Sequence, residues 1–326
     1  MTENSTYFLP FIPQKNNLDW YTIALNVTHN ATKNINEKNI TYDQYDVHSL
    51  YGLMQSKVTH EILSNVTHRG ELNPLYDFRK LITSTGTYSG SGQYAQHNLA
   101  QMTRSWEHMR YSIAQIMNFN MFGIPFTGGD VCGNKQDGVI EDFDEEYELC
   151  ARWYQLSTFY PLARSYRDID DGGILTEPYD LPANKSYNMM AQYSILDRYQ
   201  YARFVYGCLF ESSTLGRTCF DPLLFHYPSL DGAYKDIEST FIVGDCVKVS
   251  PVLEKLGDQK EYKVFFPQGN WLDLDGYDVV KVTDPEGEMV TLESQLTVKK
   301  HLKPGTIVPL QYNITDGKKT YPTYID

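Results

Sequence analysis

The sequence predicts an α/β unit of barrel type followed by an all-β sandwich, and three observations predict it. Between residues 79 and 212, apolar strand-like runs alternate with helix-period segments, and the longer loops fall at strand C-terminal ends. From Cys219 onward the runs become short, β-rich and separated by turn residues such as Asp-Gly, Gly-Asn and Pro-Glu-Gly. The chain has 326 residues, 41% of them hydrophobic, enough for two domains with a sizeable core. The change of pattern near Gly216 divides the chain into 1–217 and 218–326.

Each element follows from local pattern. Residues 1–44 are polar, rich in Asn and Thr and without clear periodicity, so they read as a long excursion, partly loop. Val47, Leu50, Tyr51, Met54, Val58 and Ile62 recur at helical spacing within 45–64. RKLITST (79–85) reads as a short strand and the Gly/Ser-rich stretch 86–95 as a loop. Trp106, Met109 and Ile113 mark an amphipathic helix over 104–119, and 120–131 reads as an apolar strand ending in a Gly-Gly-Asp turn. An acidic loop follows, then a helix over 145–158, a strand over 159–166, a second loop and a long helix over 187–212. Beyond Gly216 the segments CFDPLLFHYP, STFIVGDCVKVS, EYKVFFPQGNWLDL, DVVKVT, EMVTLESQLTVKK and GTIVPLQYN read as strands.

Charge narrows the partners. A formal charge of −13 argues against nucleic acid, which needs a basic face, and suits an acidic surface and a neutral ligand such as a sugar. No run of 18 apolar residues appears, so no membrane span is expected. The opening MTENSTYFLPFIP has neither a basic n-region nor an apolar h-region, so no signal peptide is expected on this chain. Against that stand seven N-x-[ST] sequons, at Asn4, Asn26, Asn30, Asn39, Asn65, Asn184 and Asn313. They lean towards a secretory, lysosomal or extracellular ancestry.

Five cysteines leave at least one free thiol if the others pair. Cys132 and Cys150 flank the acidic loop and are placed to close it; Cys208 and Cys219 flank a helix end and the next strand; Cys246 lies in an apolar run, as a buried small residue would. His48, His60 and His97 show no i, i+4 pairing, and no His/Cys group has zinc spacing, so no metal and no cofactor are expected. DGVIEDFDEEYE has some features of a calcium loop. Centring such a loop on Gly138 puts its first ligand at Gly133, which has no side chain, so the segment reads as a helix-capping acidic loop.

The segments YDVHSLYGLMQS, SGSGQYAQH, SWEHMRYSIAQIMNFNMFGIPFTGGDVCG, ELCARWYQLSTFYPLAR, PLLFHYP and NWLDL resemble, in order and spacing, the α-glucosidase branch of glycoside hydrolase family 31. The resemblance covers roughly residues 8–312. It implies that 1–217 correspond to the second half of a (β/α)8 TIM-type barrel and 218–326 to the β-sandwich that follows it. It also implies a disulfide at Cys132 and Cys150. Such enzymes retain configuration: one carboxylate attacks the anomeric carbon and a second protonates the leaving oxygen. The family's W-x-D-M-N-E-P nucleophile motif has no counterpart in this chain, which begins just downstream of where it belongs.

The acid/base motif, G-H-W-x-G-D in the family, aligns with Gln96-His97-Asn98-Leu99-Ala100-Gln101. His97 is kept, but the acid position holds Gln101, and an amide has no proton to give at neutral pH. A sugar-contacting Arg aligns with Thr85, a Phe with Asn134 and a His with Tyr166, whereas Asp130 and Arg164 are retained. Packing residues of the family, among them Gly52, Gly123, Pro125, Gly128, Trp106 and Trp153, are kept. The resemblance thus implies no catalytic residue here, and a remnant sugar-binding set of His97, Asp130, Arg164 and Tyr166. Asp130 reads either as a functional carboxylate at a strand end or as a structural one bonding loop amides or Arg164. Tyr88, Tyr94, Tyr166 and Asn98 offer rings and amides that suit a sugar.

Three functions compete. The chain is a degenerate family 31 homologue with a structural, sugar-binding or regulatory role. Or it is the C-terminal piece or subunit of a longer or two-chain α-glucosidase-like assembly, whose partner supplies the missing half-barrel and covers two open sheet edges. Or it is an active α-glucosidase with a relocated acid, for which Glu107 is the nearest carboxylate in sequence.

Overall fold

In a computed structural model, residues 28–30, 41–43, 47–67, 80–99, 102–133, 142–165, 174, 176–311, 313–315 and 318–320 are described. The chain forms two compact units, Met1–Ala95 and Gln96–Asp326.

In the first unit the polar excursion contains an antiparallel pair, β1 (Thr28–Asn30) and β2 (Thr41–Asp43), so it is not loop throughout. A 3-10 turn, His48–Leu50, leads into helix α1 (Tyr51–Thr67), where the spacing over 45–64 predicts a helix, although its stripe residues Tyr51, Met54, Val58 and Ile62 are exposed. The strand expected over 79–85 shrinks to β3 (Thr83–Ser84). Gly52 and Gly86 are needed where α1 meets the next loop. A Cβ on Gly52 would lie 3.0 Å from the Gly86 Cα, leaving no room for a side chain.

The second unit opens with three parallel strands, β4 (Gln96–Asn98), β5 (Thr127–Val131) and β6 (Leu162–Ser165). Helix α2 (Trp106–Met121) links β4 to β5; Ser105 Oγ accepts from the His108 amide and caps it. Its inner face buries Met109, Ile113, Ile116 and Met117. The strand expected over 120–131 is shorter than its apolar run, because α2 continues to Met121 and β5 begins at Thr127.

The Gly-Gly-Asp segment is not a turn. Gly128, Gly129 and Asp130 lie inside β5, fully buried and paired with Leu162, Ala163 and Arg164. A Cβ on Gly128 would sit 1.8 Å from the Leu162 carbonyl oxygen, so glycine here serves close strand approach.

Helix α3 (Phe143–Ser157) links β5 to β6. Asp142 Oδ1 accepts from the amides of Asp144 and Glu145, and Asp144, Glu145 and Glu146 complement the helix dipole. The single long helix expected over 187–212 is two, α4 (Tyr187–Gln200) and α5 (Ala202–Leu215). They break at Tyr201, whose ring is 1% exposed and packs edge-to-face on Phe159 at 5.0 Å. Burying that ring outweighs one continuous helix. Gly216, at φ +70°, closes α5 in the left-handed conformation.

The sandwich follows. A six-stranded antiparallel sheet runs in the order β12 (Val279–Val282), β11 (Gly269–Asp273), β14 (Lys299–Leu302), β9 (Val247–Ser250), β8 (Phe241–Val243), β7 (Phe220–Pro222). β10 (Glu261–Phe266) pairs with β13 (Glu288–Glu293). The run CFDPLLFHYP is only partly strand, because Leu223–His226 form a short helix, α6. GTIVPLQYN carries no strand over 305–311; β15 (Asn313–Thr315) and β16 (Lys318–Thr320) form a separate hairpin. The architecture is therefore a partial barrel followed by a β-sandwich.

Barrel and sandwich elements are joined by buried polar contacts. Asn120 Oδ1, at the end of α2, accepts from the amides of Cys219 and Phe220 at 3.0 and 3.2 Å. Glu148 of α3 accepts from the amides of Leu256 and Gly257, while Arg152 donates to Ser294 Oγ at 2.6 Å. Each bond satisfies a group that burial would otherwise leave costly.

Candidate functional site

The barrel strands place function-bearing residues at their C-terminal ends. His97 lies in β4 in register with Thr127. Its imidazole is 7% exposed and stacks on Phe119 at 3.7 Å. Burial disfavours the charged ring and lowers its pKa to about 4. The side chain is neutral at physiological pH.

Asp130 is completely buried. Arg164, its register partner, donates Nε to Asp130 Oδ1 at 2.6 Å. The other carboxylate oxygen, Oδ2, is buried without a hydrogen-bond partner among the described residues, as are Asn98 Oδ1 and Thr127 Oγ1. Acceptors are thus concentrated along β4 and β5. A cavity of about 190 Å³ lined in part by Val131, Ser165 and Arg198 lies at the ends of β5 and β6. A wider one, about 360 Å³, opens in the sandwich against Phe265, Lys235 and Glu286. The smaller cavity lies between β5–β6 and helices α3 and α4, and neither cavity is lined by His97, Asp130 or Arg164.

Gln101, Asn134 and Tyr166 lie outside the described residues, as do Asn4, Asn26 and Asn39. Tyr88 and Tyr94 belong to the first unit, where Tyr94 packs edge-to-face on His60 at 6.0 Å. Glu107, the carboxylate considered for a relocated acid, is exposed on α2 and accepts from the Tyr111 hydroxyl at 2.5 Å.

Cys132 and Cys150 form a disulfide, and so do Cys208 and Cys219; Cys246 is free and buried. Of the sequon residues, Asn30, Asn65 and Asn313 fall in β1, α1 and β15, and Asn184 in an exposed turn before α4.

One constellation escaped sequence reasoning. Asp221, His226 and Asp245 converge, with His226 Nε2 3.2 Å from Asp221 Oδ2 and 3.8 Å from Asp245 Oδ1. No fixed spacing links β7, α6 and the β8–β9 turn, so only the fold brings these groups together. Lys303 Nζ stands 3.4 Å from the other ring nitrogen of His226, where a ligating histidine needs an acceptor for its N–H. The set therefore reads as a mixed-charge network. Among the described residues, no helix is long and apolar enough to cross a membrane.

The geometry is that of a barrel strand set whose carboxylate is held by an arginine, joined to an antiparallel sandwich. Comparison with known proteins matches it. The model of the glycosyl hydrolases family 31 TIM-barrel domain matches residues 15–208, and that of the family 31 C-terminal domain matches residues 216–308. A probable alpha-glucosidase of Oryza sativa subsp. japonica is 33% identical over 269 residues, covering 82% of this chain and 28% of its own length. The lysosomal alpha-glucosidase of Mus musculus is 30% identical over 283 residues, covering 82% of this chain and 27% of its own. The solved structure of a dextranase of Flavobacterium johnsoniae complexed with glucose superposes with a TM-score of 0.71 at 25% identity, over 86% of this chain and 33% of the other.

The chain belongs to glycosyl hydrolase family 31 and is α-glucosidase-like. It spans under a third of the length of those two relatives.

Proposed function

We propose that this chain is an α-glucosidase-like family 31 protein that does not hydrolyse glycosides by itself, and that it keeps the family's packing without its proton chemistry. The observation that carries this reading is Gln101 at the acid/base position. General acid catalysis contributes typically about 10²–10⁴-fold, and an amide cannot supply it. His97, Asp130 and Glu107 do not replace it. The neutral His97 has no proton to spare near pH 7, Asp130 is engaged by Arg164, and Glu107 is hydrogen-bonded to Tyr111 at the surface. The 326 residues also contain no W-x-D-M-N-E-P run for a nucleophile.

Retained Asp130, Arg164 and His97, with the buried acceptors of Asn98 and Thr127, support a remnant α-glucoside-binding face on the barrel domain 1–217, beside the sandwich domain 218–326. The test is glucose release from maltose and from an aryl α-glucoside by the purified chain, with calorimetric titration of both. No release is expected. Saturable turnover would overturn the reading.

A second reading has its own support. The matched relatives are more than three times longer than the region aligned, and α4 and α5 expose Tyr193, Leu196, Tyr199, Tyr206 and Phe210. Both favour a C-terminal part of a larger assembly, whose remaining barrel strands belong to a longer or second polypeptide. Native mass spectrometry of protein from its source tests this. A mass matching the 326 residues alone would exclude it. Seven sequons and two disulfides support a secretory route for either form.

A further inference from the structure

We infer that Asn184 is an N-glycosylation site, carrying an oligosaccharide on an exposed turn at the entrance to α4. This rests on the secretory route proposed above and selects one sequon among seven. Two features of the fold carry it.

The first is the build of the turn. Ala183, Asn184 and Lys185 are exposed, whereas Leu181 and Tyr187 on either side are 2% and 6% exposed. The two buried residues pin the turn, and the three between them stand out from the surface. The Ser186 amide donates to the Ala183 carbonyl at 3.0 Å and closes the turn. Lys185 pairs with Asp144 at 3.0 Å, so the neighbouring side chain is drawn towards α3. A bulky polar substituent on Asn184 displaces no buried group. The turn also precedes the N-terminus of α4. In a βα arrangement that end lies on the same face as the strand C-termini, and therefore as Asp130 and Arg164. A glycan there flanks the candidate site without filling it.

The second is redox chemistry. Four of the five cysteines are joined, Cys132 to Cys150 and Cys208 to Cys219. Such bonds form in oxidising compartments, where chains on the secretory route also meet the glycan-transfer machinery.

The donor is a lipid-linked oligosaccharide diphosphate. The Asn184 amide nitrogen forms a bond to the anomeric carbon, the bond from that carbon to the diphosphate oxygen breaks, and the lipid diphosphate leaves. The amide nitrogen gives up one proton to a base of the transferase. Ser186 supplies the hydroxyl at the +2 position that the transferase reads. In the folded chain Ser186 is left-handed, at φ +62°, within a closed turn, so transfer precedes closure of the turn.

Protein from its native source is digested after peptide N-glycosidase treatment in heavy-oxygen water, and the peptides are mapped. The expected result is Asn184 converted to labelled aspartate. In secreting cells, S186A and N184Q each lose one glycan step in electrophoretic mobility. An unconverted Asn184 overturns the assignment. If another sequon is converted in the same digest, the secretory route stands and this site alone falls. If none is converted, the route falls with it.

Discussion

Arg164 Nε lies 2.6 Å from Asp130 Oδ1, across a direct register pair of two parallel strands. The carboxylate is wholly buried while the guanidinium side chain is 45% exposed. The arginine thus reaches in from solvent to neutralise the one acidic side chain of β5. Removing it strands a buried charge, which costs more than the pair contributes net. R164M is expected to lose about 3 kcal/mol in urea unfolding, the lower end of the range for a broken buried pair. The double variant R164M/D130N should recover part of that loss. Strictly additive losses would show that the two groups do not depend on each other.

Two glycines in this chain are expected to respond to alanine with opposite signs. G128A drives a Cβ into the Leu162 carbonyl at 1.8 Å, backbone against backbone. It should cost about 3 kcal/mol or more, at or above the usual range of ~1–3 kcal/mol for overpacking. Gly207 is inside α5, and a methyl group added there would meet nothing within 4 Å. G207A should stabilise by about 0.5–1 kcal/mol through helix propensity. Thermal midpoints moving in the same direction would contradict the strand packing described for β5 and β6.

Two buried histidines make the fold acid-sensitive. Burial lowers His97 to about 4 and, with Lys248 nearby adding to it, His301 to about 3, from an ordinary 6.5. Between those values and 6.5 the unfolded chain binds more protons than the folded one. Stability is therefore full above about pH 6.5 and falls as pH drops towards about 4, by up to about 1.4 kcal/mol per pH unit for each histidine. Neither ring nitrogen of His301 has a hydrogen-bond partner among the described residues, so H301L removes its share of the slope without stranding another polar group there. Urea midpoints of wild type and H301L, compared from about pH 7 to about 4.5, should diverge as pH falls. Parallel curves would mean that His301 is charged or solvated in the folded state.

The Cys132–Cys150 disulfide closes a loop across a separation of 18 residues between β5 and α3. Loss of a bond of that span costs about 2–4 kcal/mol. C132S/C150S should unfold at correspondingly lower urea in the absence of reductant. Wild type treated with a strong reductant should move towards the same midpoint. A midpoint unchanged by the double substitution would show that the loop is held by its neighbours alone.

Much of this architecture was legible because local physics specified it. Helical spacing located α1 and α2; α2 buries one face and is capped by Ser105, whereas Tyr51, Met54, Val58 and Ile62, the residues whose spacing marks α1, are exposed. Turn residues located most sandwich strands. The errors share a cause. The Gly-Gly-Asp segment has turn composition, yet its glycines serve inter-strand approach, a demand set by Leu162 on the neighbouring strand. A periodic run over 187–212 concealed the break at Tyr201, because the gain there comes from Phe159 on another element.

The candidate site divides in the same way. Motif order along the chain was enough to indicate the family, and the reading of Gln101 at the acid position and of Asp130, Arg164 and His97 as a retained set is a proposal drawn from the same motifs. These depend on residue type at a position, which sequence states directly. Whether Asp130 is engaged, whether His97 is neutral, and whether Asp221, His226 and Asp245 meet are questions of distance and burial. Tertiary structure alone decided them, because the Coulomb and desolvation energies involved depend on separations between groups far apart in the chain.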